Sequence, residues 1–179
     1  MLRQARFSLG LALMLAIGTT AFAQNVKTDY ARGTDFSQYK TFMWIKEPQT
    51  RNPLTKQRVI DDVNAALTAK GLQLVTGDAD LGIAAHAATK QNQTLNTFYN
   101  GFGGGWRWGG RFGSATTTVD TYTVGTLVVD IFDAKTKDAI WRGTSSKTLS
   151  GDPEKNAASL NKAVAKMFKD FPPSAKKAN

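Results

Sequence analysis

GTLVVDIFDAKTKDAIWRG, residues 125–143, contains the clearest strand pattern in the chain. The sequence from 116 to 132 is rich in Thr, Val and Tyr, and its successive side chains alternate between two faces. A polar connection at 133–138 leads into a second run of strand-forming residues at 139–147. This order predicts an antiparallel hairpin, with a bulge or bend at Gly125.

Two amphipathic helices are predicted by the same signal at their N-termini. Asn52-Pro53 and Asp152-Pro153 each supply an N-cap side chain followed by proline at the first helical position. We expect the first helix from about 54 to 70, and we interpret its charged face, which includes Arg58, as solvated. The second ends before Pro172-Pro173. Apolar residues recur at helical spacing in both: Val59, Ile60, Val63, Ala66 and Leu67, then Ala157, Leu160, Val164, Met167, Phe168 and Phe171.

Shorter strands are predicted at Val26–Tyr30, Thr41–Ile45, Leu72–Val75 and Leu81–Thr89. Strands interrupted by two helices, each apolar on one side only, favour a sheet covered on one face. We therefore expect an α+β fold with two layers, in which two amphipathic helices pack on one face of a mainly antiparallel β-sheet. Residues 24–173 are predicted to form a single domain.

The composition excludes several kinds of site. The 179 residues include no cysteine and one histidine. A disulfide framework, a cysteine-ligated metal, a cysteine nucleophile and a covalent lipid anchor on cysteine are thus ruled out, as is a metal site made of several histidines. The sequence also lacks the phosphate-binding, nucleotide-binding and hydrolase motifs that we sought. We therefore expect no cofactor and no bound metal.

Residues 1–23 have the organisation of a signal peptide, since Arg3 and Arg6 precede an apolar run and small residues end at Ala23. The apolar run is too short for a membrane span, and no later segment reaches the roughly 20 residues required. We expect cleavage after Ala23, no transmembrane helix in the mature chain and a disordered tail at 174–179. Loss of the two arginines lowers the net charge from +9 to +7. The mature protein is expected in the periplasm, with secretion or peripheral membrane association as alternatives.

The segment FYNGFGGGWRWGGRFG, residues 98–113, has seven glycines and six aromatic residues. So much glycine is incompatible with a packed helix or a regular strand, which predicts a long mobile loop. Aromatic and arginine side chains on such a loop suit contact with an envelope protein, a glycan or an anionic membrane surface. Export argues against nucleic acid as a partner. The candidate contact residues are Phe98, Tyr99, Phe102, Trp106, Arg107, Trp108, Arg111 and Phe112. The alternative is a loop without a role, whose rings fold back on the sheet.

Catalytic chemistry has weak support in the sequence. His86 lies among small apolar residues and is interpreted as a structural strand histidine rather than a general base. Asp120, Asp130 and Asp133 lie near one hairpin, where carboxylates could form a cation site or an acid pair. Hydrogen bonding of Asp133 within its own turn is the simpler interpretation. We therefore predict no catalytic residue and no metal ligand.

Four motifs resemble those of a bacterial envelope family known as domain of unknown function 4136. They are DFSQYKTFMW at 35–44, Lys70-Gly71 followed by Asp80-Leu81, the 125–143 segment with its terminal Trp-Arg-Gly, and Phe-Pro-Pro at 171–173. The resemblance implies export and an α+β fold, and it implies no reaction. Many relatives resemble lipoproteins with an acylated cysteine, whereas this chain has Ala23-Gln24 at the expected cleavage point.

The residues that carry the resemblance are expected to be structural, as capped turns and core anchors. They are Asp35, Phe36, Tyr39, Lys40, Trp44, Asp130, Trp141, Arg142 and Gly143. The leading hypothesis is an exported, non-enzymatic envelope protein that uses the 98–113 segment as a binding module. The alternative is a periplasmic lipid or small-molecule carrier with a groove between sheet and helices. A hydrolase that uses His86 and an aspartate is a third, weaker possibility.

Overall fold

The computed structural model describes residues 24–99 and 115–173, with the backbone alone at 95–99 and 115–118. The predicted signal peptide, most of the predicted loop and the predicted tail lie outside these residues. Within the described ranges, neither helix is long and apolar enough to cross a bilayer.

Both helices begin where the sequence predicted. Helix α1 spans Pro53–Thr68, and the side chain of Asn52 accepts a hydrogen bond from the N–H of Leu54 at 2.9 Å. Helix α2 spans Pro153–Met167, and the side chain of Asp152 accepts from the N–H groups of its first turn. These caps satisfy backbone donors that have no partner inside a helix.

Six strands form one sheet in the order β1-β6-β5-β4-β2-β3. Their bounds are β1 Asn25–Tyr30, β2 Thr41–Lys46, β3 Gln73–Leu74, β4 Leu81–Tyr99, β5 Ala115–Asp133 and β6 Ala139–Thr148. The pairs β1/β6, β6/β5 and β5/β4 are antiparallel, which confirms the predicted hairpin. Strand β2 runs parallel to both β3 and β4, so the sheet is mixed. The α+β fold is as predicted.

The core lies between the helices and one face of the sheet. Helix α1 contributes Val59, Val63 and Leu67, each no more than 1% exposed. The sheet contributes alternate residues of its central strands, because successive side chains point to opposite faces. At the end of α2, Trp141 of β6 stacks on Phe168 with ring centroids 4.9 Å apart. The two helices also pack against each other, and Asn161 donates to Asp62 at 2.9 Å.

Two local predictions were wrong. Strand β4 continues ten residues past the predicted end at Thr89 and reaches Tyr99, so Phe98 and Tyr99 belong to a strand rather than to the loop. These two residues pair with 116 and 115 of β5. At Gly125 the register is regular, and the irregularity of β5 lies between Ile131 and Phe132.

Candidate functional site

The first candidate is a two-stranded projection, which we call the β-arm: residues 91–99 of β4 and 115–123 of β5. The pairing of β5 with β6 ends at Val124, and that of β4 with β2 ends at Ala84. The β4/β5 pairing alone continues to Tyr99. At about 3.3 Å per residue, the arm extends roughly 25–30 Å beyond the rest of the sheet.

The last two residues of β4 in the arm are also the first two of the predicted contact segment. The backbone of Phe98 and Tyr99 forms the last two pairs of the arm. The other candidate contact residues lie outside the described residues: Phe102, Trp106, Arg107, Trp108, Arg111 and Phe112. Closer to the body of the domain, Val119 is 51% exposed and Tyr122 is 38% exposed. The arm therefore presents apolar side chains to solvent.

The second candidate is a groove of about 1010 Å³ at the base of the arm. The first part of α1, helix α2 and the strands β4, β5 and β6 line it. Val59 and Ala163 are each 1% exposed and Leu127 is 5% exposed, so the groove reaches down to the core. This volume is at the upper end of the range for small-molecule sites.

Among the described residues that line the groove, the charged side chains are Arg51, Arg58 and Lys147, and none is a carboxylate. None of the three cations makes an ion pair within residues 24–99 and 115–173. Lys147 donates to the hydroxyl of Ser159, which is a neutral partner. The groove is therefore lined by positive charge above an apolar floor. The sequence analysis interpreted Arg58 as a solvated charge. It could not identify the groove, because the residues that surround Arg58 there come from distant parts of the chain.

The family motif at 35–44 builds a capped turn. Asp35 Oδ1 accepts from the N–H of Ser37 at 3.0 Å and from its hydroxyl at 2.6 Å, which holds the 3-10 helix Phe36–Gln38. The same hydroxyl is the main cause that lowers the pKa of Asp35. Lys40 Nζ donates to the Ser37 carbonyl at 2.9 Å, and the ring of Phe36 meets Phe171 edge to face at 5.7 Å.

The aromatic residues of this motif connect the turn to the core. Tyr39 is 9% exposed, and its hydroxyl donates to Asp133 Oδ2 at 2.8 Å. Burial, and then this hydrogen bond, raise the pKa of Tyr39 to about 12. Further along β2, Trp44 Nε1 donates to Asn64 of α1 at 2.9 Å. Each ring thus buries its apolar body and pairs its polar atom.

The carboxylates near the β5–β6 hairpin make separate contacts. Asp133 Oδ1 accepts from the N–H groups of Lys135 and Thr136 at 2.7 and 3.0 Å. The Thr136 N–H, followed by Tyr39, lowers the pKa of Asp133. On the sheet face away from the helices, Asp130 accepts from Arg142 through both oxygens, at 2.5 and 2.9 Å. These carboxylates serve turns and strand pairing.

His86 is exposed on β4 and pairs across the sheet with Val128. Asp120 lies in the β-arm, eight residue pairs further along the strands than Val128. Among residues 24–99 and 115–173, no three histidine or acidic side chains converge on a possible metal site. The histidine and the three aspartates are therefore not brought together into one cluster.

The family model described as domain of unknown function (DUF4136) matches residues 26–173. No curated protein matches the chain. Among solved structures, a PDZ domain protein from Parabacteroides distasonis is 17% identical with a TM-score of 0.57, over 84% of this chain and 36% of that one. This chain thus spans about a third of that protein's length.

Two further structures are similar over nearly their whole length. A PelC dodecamer from Paraburkholderia phytofirmans is 14% identical with a TM-score of 0.49, over 82% of this chain and 95% of that one. A putative neuraminyllactose-binding hemagglutinin homolog from Helicobacter pylori is 9% identical with a TM-score of 0.42, over 81% of this chain and 91% of that one. At such identities, solved structures inform only on the fold.

Proposed function

The chain belongs to the domain of unknown function family DUF4136, and on that premise we propose that it is an exported, non-enzymatic binding module of the cell envelope. It contacts its partner through the β-arm and the 98–113 segment at the end of that arm. The observation that carries the proposal is the projection of β4 and β5 beyond all other strands of the sheet. A ribbon of two strands has little stability of its own in water, so the long arm contributes little to the stability of the fold. Contact with a partner outside the domain gives a reason for its length.

The partner that the charges favour is an anionic membrane surface. The full chain has a formal net charge of +9, and the predicted mature chain has +7, which attracts it to anionic lipid. Two of these positive charges, Arg107 and Arg111, lie in the 98–113 segment, which also contains six aromatic residues. Tryptophan and phenylalanine insert at the level of lipid head groups, where arginine pairs with phosphate.

A non-enzymatic role agrees with how the acidic side chains are used. Asp80 accepts from the N–H groups of Lys40 and Thr41 at 2.7 and 3.0 Å, and these bonds lower its pKa. Asp130 and Asp133 are hydrogen-bonded to Arg142 and to a turn respectively. Carboxylates engaged in this way maintain the fold and are poor candidates for proton transfer.

The test is sedimentation of the chain from Gln24 to Asn179 with anionic and neutral liposomes, at low and high salt. Replacing 98–113 by a short Gly-Ser turn should abolish binding to anionic liposomes. Two matched variants separate the contributions. R107Q with R111Q should weaken binding mainly at low salt, whereas changing Phe102, Trp106, Trp108 and Phe112 to Ser should weaken it at every salt concentration.

If the wild-type protein fails to sediment with anionic liposomes, the membrane partner is wrong. The wild-type protein and the same three variants are then compared for capture of purified envelope glycan and of envelope proteins. Equal behaviour of all variants in every assay would overturn the use of this segment as a contact site.

A second candidate function is a periplasmic carrier of a lipid or small molecule. The groove between the helices and the sheet favours it, since a carrier needs an apolar cavity that is open to solvent.

A further inference from the structure

The groove at the base of the β-arm combines an apolar floor with a positively charged rim. Its floor includes Val59, Leu127 and Ala163, which are at most 5% exposed, and Leu160 packs partly against the same core. Leu149 also lines the groove and lies over Gly125, where a β-carbon would come within 2.9 Å of Leu149 Cδ2. An alkyl chain placed here would exchange water for aliphatic contacts.

The rim carries charges that are not neutralised within the described residues. Arg58 and Lys147 are half-buried and Arg51 is exposed. Within residues 24–99 and 115–173, all three lack ion pairs and no acidic side chain lines the groove. Beside an apolar floor, a cation interacts more strongly with an anion than it does in bulk water, because the local dielectric constant is lower.

The lining also argues against other ligand classes. None of the described residues that line it is aromatic, so they give a sugar ring or a nucleobase no surface on which to stack. A small polar anion would leave the floor in contact with water, and a neutral lipid would leave the cations without counter-charge. The ligand that satisfies both parts of the groove has a hydrocarbon chain and an anionic head group.

We propose that this groove binds a free single-chain amphiphilic anion, with its alkyl chain on the floor formed by Val59, Leu127 and Leu160 and its carboxylate or phosphate between Arg58 and Lys147. This inference specifies the ligand class of the carrier function and does not depend on the β-arm. It can therefore be tested independently of the proposed membrane contact.

The first experiment uses the unaltered chain from Gln24 to Asn179 and calorimetric titration with four probes below their micellar concentrations. Laurate and dodecyl phosphate differ in head group. Butyrate keeps the carboxylate and shortens the chain, and dodecyltrimethylammonium keeps the chain and reverses the charge. We expect laurate, dodecyl phosphate or both to bind at least a hundredfold more tightly than butyrate, since each buried methylene contributes about fourfold. The cationic probe should bind at least tenfold more weakly than the better anion.

The second experiment uses matched variants that separate the head-group site from the floor. R58Q with K147Q should reduce the affinity for the better anion at least tenfold, whereas K27Q removes an exposed charge from the other face of the sheet and should leave it unchanged. A157F should block the groove and reduce affinity at least tenfold. A158F adds the same ring to the exposed side of α2 and should have no effect.

The proposal is overturned if neither anion binds more tightly than butyrate, or if dodecyltrimethylammonium binds as tightly as the anions. These comparisons need no variant and are independent of any effect on folding. Equal affinities of A157F and A158F, with both folded by circular dichroism, would also overturn it. A variant with 98–113 replaced should retain laurate binding even where it loses liposome binding, so the two proposals fail independently.

Discussion

Gly143 of β6 lies directly beneath the side chain of Met167 in the last turn of α2. A β-carbon at Gly143 would overlap Cγ and Sδ of Met167 and would lie 2.6 Å from Cη2 of Trp141. Met167 is 1% exposed and Trp141 is 3% exposed, so both side chains are packed inside the core. The Trp-Arg-Gly motif therefore includes glycine because the packing of Met167 and Trp141 leaves no room for a β-carbon at this position.

The first prediction is that Gly143→Ala destabilises the protein by about 2–3 kcal/mol, the upper part of the usual range for overpacking a core. Urea unfolding followed by tryptophan fluorescence measures the loss. Gly77→Ala is the control, because a β-carbon there meets nothing within 4 Å. Equal stability of the two variants would show that Met167 moves away at little cost.

The second prediction concerns alkaline pH and Tyr39. Its pKa is about 12 in the folded protein against an ordinary value of 10, so the unfolded chain loses this proton first. The stabilising contribution is complete below pH 10 and is lost as pH rises towards 12. Between pH 9 and 11.5, the wild-type protein should therefore lose about 2 kcal/mol of unfolding free energy relative to Tyr39→Phe.

Tyr39→Phe keeps the buried ring and removes the hydrogen bond to Asp133, so at pH 7 it should cost about 1 kcal/mol. Chemical denaturation at several pH values measures both effects. Comparison with the variant cancels the titration of the other tyrosines and of the lysines. A difference that stays constant from pH 9 to 11.5 would contradict the raised pKa.

The third prediction concerns the ion pair on the open face of the sheet. The side chain of Asp130 is 6% exposed and that of Arg142 is 60% exposed. Arg142→Gln leaves the carboxylate nearly buried without its bidentate partner, which should cost about 2 kcal/mol. Asp130→Asn combined with Arg142→Gln should recover about half of this loss, because no buried charge remains.

Thermal and urea unfolding of the two single variants and the double variant complete this cycle. Lys155→Gln is the control, since Lys155 and Asp152 form an exposed pair and its loss should change stability by less than about 0.5 kcal/mol. Strict additivity of the Asp130 and Arg142 substitutions would show that the pair contributes nothing.

The elements that the sequence predicted well are marked by short sequence patterns within the element itself. The start of each helix is marked by a capping side chain followed by proline, at Asn52-Pro53 and at Asp152-Pro153. The β5–β6 hairpin is evident because one face of each strand is buried, and burial produces an alternating pattern. In both cases the information lies within a few residues.

The elements that were missed lack such signals. Strand β4 continues beyond Thr89 with the polar sequence KQNQT, residues 90–94, and none of these side chains is buried, so no alternating pattern marks the strand. The parallel pairing of β2 with β4 joins residues about 40 apart, so neither strand shows it alone. The groove unites Arg58, Lys147 and Leu160 from three elements, and only the fold brings them together.

The fourth prediction is that the β-arm contributes little to the stability of the domain. Removing residues 92–122 and joining Gln91 to Thr123 through Asn-Gly gives a two-residue hairpin at a position where the strands already pair. The buried core residues in the described part of the chain all lie outside the deleted segment, so the midpoint of thermal unfolding should change by only a few degrees.

Circular dichroism and calorimetry test this shortened chain, which should also keep the affinity of the groove for laurate or dodecyl phosphate. If the shortened chain is as stable as expected, the domain does not need the arm, and contact with something outside the domain explains its length. If the shortened chain instead fails to fold, the arm belongs to the scaffold, and its projection no longer supports a binding role.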